Sequence, residues 1–216
     1  MMLAADGDPH ALPGDADVVR ASGLVFVLSG PSGVGKSTLI ELLKQDGFPI
    51  TYCVTATTRP RRANEVHGSH YYFLSRDQFT LLLDEGKLLE HAFVHDSHFY
   101  GIPLFSVREG LRQGRDLIMT PEVQGAATIR SMLPGVISIF LRPQRIEDLP
   151  ERISRRGADE QELMRRMATA REELEHISEY DYVVVNRPGR LLEAVDDVKS
   201  IIAAERLRTN PHLVVV

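Results

Sequence analysis

Apolar positions along this chain fall into two rhythms. Short unbroken runs occupy Leu24–Ser29, Ile50–Thr55, Asp116–Thr120, Val136–Leu141 and Tyr182–Asn186. Runs of this length predict strands buried on both faces. Between several of them, apolar residues return every three or four positions. Ser37–Asp46 carries Leu39, Leu42 and Leu43 on one side, and Glu109–Gln113, Gln124–Met132 and Leu191–Arg206 are the clearest of the other stretches. These predict amphipathic helices. Strands alternating with helices predict an α/β fold, a five-stranded parallel sheet with helices on both faces.

Two segments break the alternation. Residues 56–105 are basic, then aromatic and rich in His, with short alternating runs. There "HYYFLS" and "KLLEHAFVH" predict strands, and "SRDQFTLLLDEG" predicts a helix starting at a Ser cap. We read 56–105 as an inserted, mixed α/β lobe and 23–55 with 106–216 as the core. The second segment, Leu149–Glu175, is highly charged and helical, broken at "RRGADEQE". Residues 1–22 are acidic and rich in Ala, Gly and Pro, with no basic start and no long apolar run, and are expected to form a disordered tail rather than a signal peptide. The terminal "VVV" is a short apolar end.

Bulk properties narrow the function classes. The chain of 216 residues is long enough for one well-buried domain, and its net charge of −5 argues against nucleic-acid binding through a basic field. No window approaches the ~20 apolar residues of a membrane span. The single cysteine, Cys53, excludes an internal disulfide and fits a reducing, cytoplasmic setting. Within its apolar run Cys53 reads as a small core residue rather than a nucleophile. His91, His95 and His98 are close in sequence, but on a strand only His91 and His95 share a face, which argues against a zinc site.

Residues Gly30-Pro31-Ser32-Gly33-Val34-Gly35-Lys36-Ser37 fit G-x-x-x-x-G-K-[ST], with a strand before and a helix after. Gly residues let backbone N–H groups point into one concavity, and the helix N-terminus adds positive potential. Lys36 places an ammonium on the β and γ oxygens of a nucleoside triphosphate, and Ser37 offers a hydroxyl to Mg²⁺. Nucleoside-triphosphate binding is therefore assigned to Gly30 through Thr38, with Mg²⁺ as the metal. Motors, switches, transporters and kinases share such a loop, so the acceptor must be read elsewhere.

Downstream, Arg59, Arg61 and Arg62 lie within four residues after a strand, and Tyr71 and Tyr72 follow. A guanidinium offers a planar fork to a phosphate. On a strand only one of the two tyrosines can face the arginines. "TATTRPRRANEVHGSHYYF", followed by "LLEHAFVHDSHFYGIP", "EVQGA" and "EYDYVVVN", resembles the guanylate kinase family. The family's pattern is S-x-T-T-R-x-P-R-x-G-E-x-x-G-x-x-Y-x-F, then a glutamate, then Y-G-T. The resemblance runs from about Leu24 to about Ile202. It implies a P-loop kinase fold with a nucleoside-monophosphate lobe and a helical lid at about 149–172, and transfer of the γ-phosphoryl of ATP to GMP. It assigns Arg59, Arg62, Tyr71 and Tyr100 to the GMP phosphate, and Thr55, Glu90 and Glu122 to the guanine. A carboxylate suits guanine, whose N1–H and N2–H₂ groups both donate, whereas adenine has no such pair. The resemblance also places Arg152, Arg156 and Arg166 near the transferred phosphate. Arg155, Arg165 and Arg171 are expected to pair with acids on exposed helix faces. Monomer and homodimer both remain open.

The chain departs from that pattern at four places. Ile102 stands where the family has a threonine, so a hydroxyl that reads guanine is missing. Thr120-Pro121-Glu122 lacks the first carboxylate of an acidic pair. Pro60 and Asn64 alter the arginine loop, and Asn186-Arg187-Pro188 replaces Asn-Asp. These departures leave two alternatives beside GMP phosphorylation: a kinase for another phosphorylated acceptor, or a catalytically weak binding module. The retained Lys36 favours an enzyme.

Overall fold

The computed structural model describes residues 23–94, 98–154 and 159–214. The expected N-terminal tail, His95 and Arg156 lie outside them. The chain runs β1 (Val25–Ser29), α1 (Lys36–Gln45), β2 (Thr51–Tyr52), β3 (Thr55–Thr57), β4 (Tyr71–Phe73), α2 (Arg76–Asp84), β5 (Leu88–Val94) and β6 (His98–Pro103). It continues through α3 (Leu104–Arg112), β7 (Leu117–Met119), α4 (Val123–Met132), β8 (Ile137–Pro143), α5 (Leu149–Ser154), α6 (Glu160–Glu175), β9 (Tyr182–Asn186) and α7 (Leu191–Arg206).

Five strands form one parallel sheet in the order β2-β7-β1-β8-β9. Side chains alternate across β1. Phe26 and Leu28 join a cluster with Leu39, Leu43, Val195 and Ile202 from α1 and α7. Val25 and Val27 join another with Val107, Leu111 and Ile129 from α3 and α4. A strand buried on both faces has no polar side to show, which is why its sequence is an unbroken apolar run. The loop after β1 opens at the carboxyl end of the central strand, where ligands of open α/β sheets bind.

Four strands form a second sheet, β4-β3-β6-β5, mixed in direction: β3 and β4 are parallel, and β6 is antiparallel to both β3 and β5. Its small core holds Ala56, Phe79 and Leu88. The helix α2 packs Phe79 there and starts at the expected cap: Ser75 accepts the Gln78 N–H while the Gln78 side chain accepts the Ser75 N–H.

Three elements differ from the sequence reading. The run Ile50–Thr55 is not one strand. Tyr52 ends β2 in the first sheet, and Thr55 begins β3 in the second. Strand β6, with Gly101 and Pro103 interrupting its apolar pattern, was not expected. Helix α3 begins at Leu104, earlier than its clearest periodic stretch. The charged segment does divide into two helices, α5 and α6, the latter capped by Asp159 accepting the Glu162 N–H. At the other end of the chain Val214 is fully buried in the core. Among the described residues no helix is long and apolar enough to cross a membrane.

Candidate active site

The phosphate loop is shaped by contacts at two glycines. Gly33 and Gly35 have φ of 80° and 110°. A Cβ on Gly33 would stand 2.9 Å from Ile153 of α5, and one on Gly35 would stand 2.8 Å from the Asn186 amide. Both positions demand Gly on conformation and on space. Between them, the Val34 carbonyl accepts Asn186 Nδ2 at 2.7 Å and lies 3.4 Å from Arg152 Nη1. A peptide unit is planar and trans, so a carbonyl fastened outward turns the next N–H, that of Gly35, inward. Buried Asn186, at the end of β9, thus braces the cradle across the sheet. In the sequence Asn186 stands only as the end of a strand run and the start of a departure from the family pattern.

Lys36 opens α1. Its ammonium donates to the Gly30 carbonyl and stands 3.5 Å from Glu122 Oε2. Glu122 sits at the N-cap of α4 without capping it. Thr120, two residues earlier, shares a hydrogen bond with Tyr52 at 3.2 Å. The place of the absent carboxylate is therefore filled by a hydroxyl contact between β2 and β7.

A cleft of about 350 Å³ joins this loop to the second sheet. Its walls include Lys36 and Ser37 on one side and Arg59, Arg62, Tyr71 and Tyr100 on the other. Arg166 of α6 and Glu122 complete it. The arginine and tyrosine positions share one wall for a local reason. Arg59 follows β3, its guanidinium lies 5.3 Å from the Tyr71 ring on β4, and Tyr71 and Tyr100 meet edge to face. Tyr72 faces the other way, against Phe105.

Arg59 is held by a residue that sequence reading did not single out. Glu65 takes both ends of its fork at 2.9 and 2.7 Å and accepts the Arg62 backbone N–H at 2.8 Å. Partial burial is the largest single influence and raises the Glu65 carboxyl, but the Arg59 and Arg62 hydrogen bonds and the charges of both arginines together outweigh it and hold the group below the ordinary range. The signal was present: a lone acid three residues after three arginines.

Glu90 is buried on β5, where a bulge between Leu88 and Glu90 breaks the alternation and buries Leu89 too. Its Oε2 would lie 2.3 Å from a Cβ on Gly125, so this helix glycine makes room for the carboxyl group. Burial, then the Glu122 charge, push Glu90 up to about 8. Ile102 is its cross-strand partner and is fully buried in the core beneath. Thr55 is buried opposite Tyr71 in the β3–β4 register. Neither Glu90 nor Thr55 lines the cleft.

A neighbouring cavity of about 510 Å³ shares Ser32, Glu122 and Arg166 with the cleft. It lies between α6, the start of α4 and Ala92–Phe93 of β5. Arg166 is ion-paired with Glu162 one turn before it. Arg165, expected on an outer face, also borders this cavity. Thr38 is exposed on α1 and lines neither space. Cys53 is 2% exposed, and burial pushes its thiol up to about 12, as a core thiol requires. Among the described residues no three His, Cys, Asp or Glu side chains converge as a metal site.

Residues 22–205 match the family model described as guanylate kinase. The guanylate kinase of Desulfitobacterium hafniense is 43% identical over 189 residues, covering 87% of this chain and 93% of that protein. That of Halalkalibacterium halodurans is 42% identical, covering 88% and 92%. The crystal structure of guanylate kinase from Anaplasma phagocytophilum superposes with a TM-score of 0.70 at 32% identity, covering 88% of this chain and 89% of that one. With the phosphate loop and the arginine wall facing one cleft, the match is carried by the site as well as the scaffold: the chain belongs to the guanylate kinase family.

Proposed function

We propose that the chain transfers the γ-phosphoryl group of ATP to the phosphate of GMP, giving ADP and GDP. The observation that carries this reading is the single cleft walled by Lys36 on one side and by Arg59, Arg62, Tyr71 and Tyr100 on the other. Residues Gly30 to Thr38 hold the ATP phosphates, with backbone N–H groups turned inward and Lys36 on the terminal oxygens. Arg59 and Arg62 with the two tyrosine hydroxyls hold the GMP phosphate. Glu90, Glu122 and Thr55 serve the guanine, and Arg152 and Arg166 approach the transferred group from α5 and α6. We read residues 56–105 as the lobe that brings GMP to the body formed by 23–55 and 106–216.

Ser37 is exposed at the cleft, and Thr120 adds a second hydroxyl oxygen. This donor set suits Mg²⁺, which takes hard oxygen ligands and keeps several waters. Bound there, Mg²⁺ neutralises charge on the polyphosphate. The residues themselves align the two phosphates and spread positive charge around them. An acceptor phosphate is already a nucleophile near neutral pH, so no side chain has to act as a strong base.

The test is ADP release with ATP and Mg²⁺ in the presence of GMP, dGMP, AMP, UMP or CMP. We expect GMP to exceed AMP by at least about a hundredfold in kcat/KM. Lys36→Ala should lower kcat by roughly 10²-fold or more. Preference for another monophosphate would move the reading to a different acceptor. Equal behaviour of wild type and Lys36→Ala would remove the enzyme reading altogether.

A further inference from the structure

The Arg59 guanidinium carries five N–H bonds in one plane. Nη1 and Nη2 each point one hydrogen at a Glu65 oxygen, at 2.9 and 2.7 Å, and Nη1 also donates to the Pro60 carbonyl at 2.7 Å. That leaves the Nε hydrogen and the second hydrogen of Nη2. The two lie parallel on one edge of the group, and among the described residues no hydrogen bond takes either of them. Such an edge fits two oxygens of a phosphate as well as the end that Glu65 holds. Arg59 is 12% exposed and borders the cleft.

The aromatic neighbours fix where the guanidinium lies. Its Cζ stands 5.3 Å from the Tyr71 ring and 5.6 Å from the Phe73 ring, two residues on along β4. Attraction to a ring face tolerates many rotations of the cation, so it does not decide which edge looks into the cleft. Glu65 is the directional partner, and it is itself tied down. Its carboxylate accepts the Arg62 N–H, its own N–H donates to the Arg62 carbonyl at 3.1 Å, and its carbonyl accepts Arg61 Nη1 at 3.0 Å. A negative charge at this place weakens the pull on any bound anion. Charge therefore argues against an acid here, and orientation argues for one.

We propose that Glu65 is a positioning residue for the acceptor: it takes the end of the Arg59 fork and so turns the Nε and Nη2 edge to the GMP phosphate. The proposal rests on the phosphotransferase reading. Arg59 then stands between two anions and keeps both, because the phosphate binds an edge that Glu65 does not use. The same carboxylate holds the Arg62 backbone, so one acid sets both arginines before the acceptor arrives. Groups ordered in advance spare the ligand the entropy of ordering them. The donor phosphates rest on other residues, so the effect falls on GMP and not on ATP.

Glu65→Ala and Glu65→Gln, beside wild type, test this in two ways. Glutamine keeps the size and one acceptor oxygen, but its NH₂ opposes an Arg59 N–H, so it cannot take both ends of the fork. The first readout is NMR of the arginine side-chain N–H groups in the nucleotide-free protein, with Arg59→Lys to assign the signals. Wild type should show Arg59 Nη protons kept distinct by slow rotation, and both variants should lose them. Adding GMP to wild type should shift the Nε–H and leave the Nη protons distinct. Their collapse on adding GMP would mean that the phosphate displaces Glu65, and would overturn the proposal. The second readout is steady-state kinetics. KM for GMP should rise about tenfold or more in both variants, with KM for ATP within about threefold. An unchanged or lower KM for GMP in Glu65→Ala would also overturn it, as would equal rises for both substrates. Wild-type kinetics in Glu65→Gln would leave Glu65 a packing role only. Wild type that fails to turn over GMP would remove the phosphotransferase reading, and the nucleotide-free spectra would still decide whether Glu65 sets Arg59.

Discussion

Glu90 stands 5% exposed on β5, its carboxyl group packed against the Gly125 backbone, and burial followed by the Glu122 charge raise it from 4.5 to about 8. The sign of its effect on stability follows. Between these two values the folded chain holds the proton that the unfolded chain has released, so stability falls as pH rises and levels off above about 8. The full difference is a few kcal/mol at most, roughly. Glu90→Gln stays neutral throughout. Its melting temperature should therefore gain on wild type between pH 5 and pH 8.5, and thermal melts at three pH values would show it. Parallel curves would refute the assignment. At this scale the sequence was informative where spacing is itself the chemistry. The loop from Gly30 to Ser37 and the cluster of Arg59 and Arg62 can be read because their function depends on near neighbours. The roles of Glu65 and Asn186 could not be read in the same way. Asn186 meets Val34 across 152 positions of chain, and only folding reveals that contact.

Helices and strands were legible in proportion to how far local pattern alone decides them. Helix α2 is capped by Ser75, with the reciprocal Gln78 three residues on; the Ser cap was visible in the sequence because it is a local signal. Ser75→Ala should destabilise the small lobe by about 1 kcal/mol. Hydrogen exchange should quicken in α2 and hardly change in α1; equal quickening in both would mean that the two regions unfold as one. The Ile50–Thr55 run misled because an apolar stretch says that it is buried, not in which sheet. Its residues change sheets at Cys53–Val54, a decision made by partners more than sixty residues away, Ile118 for Tyr52 in one sheet, and by Tyr71 for Thr55 in the other. Strand β6 was hidden because Gly101 and Pro103 carry turn chemistry inside a strand that pairs on both sides.

Across the whole molecule, charge is sorted by place. The chain carries a net −5, yet its cleft gathers Lys36, Lys44, Arg59, Arg62 and Arg166 against Glu41, Glu65 and Glu122. A cationic cleft in an acidic protein draws phosphorylated ligands inward and is screened by salt. Raising ionic strength from about 0.05 to about 0.3 M should lower kcat/KM for GMP several-fold, with a smaller change in kcat. A flat response would mean that the local pairs, such as Arg59 with Glu65, cancel the field of the arginines. The composition pointed to an acidic protein; only the fold shows that its cations converge.

The passage from one sheet to the other runs through Cys53, whose N–H is bonded to Ile118 and whose thiol is 2% exposed. No other thiol exists in the chain. The molecule therefore carries its own counter for separation of the two sheets. A thiol reagent added to the intact protein reacts only when that passage comes apart, and the pace of labelling becomes a direct measure of how often it does.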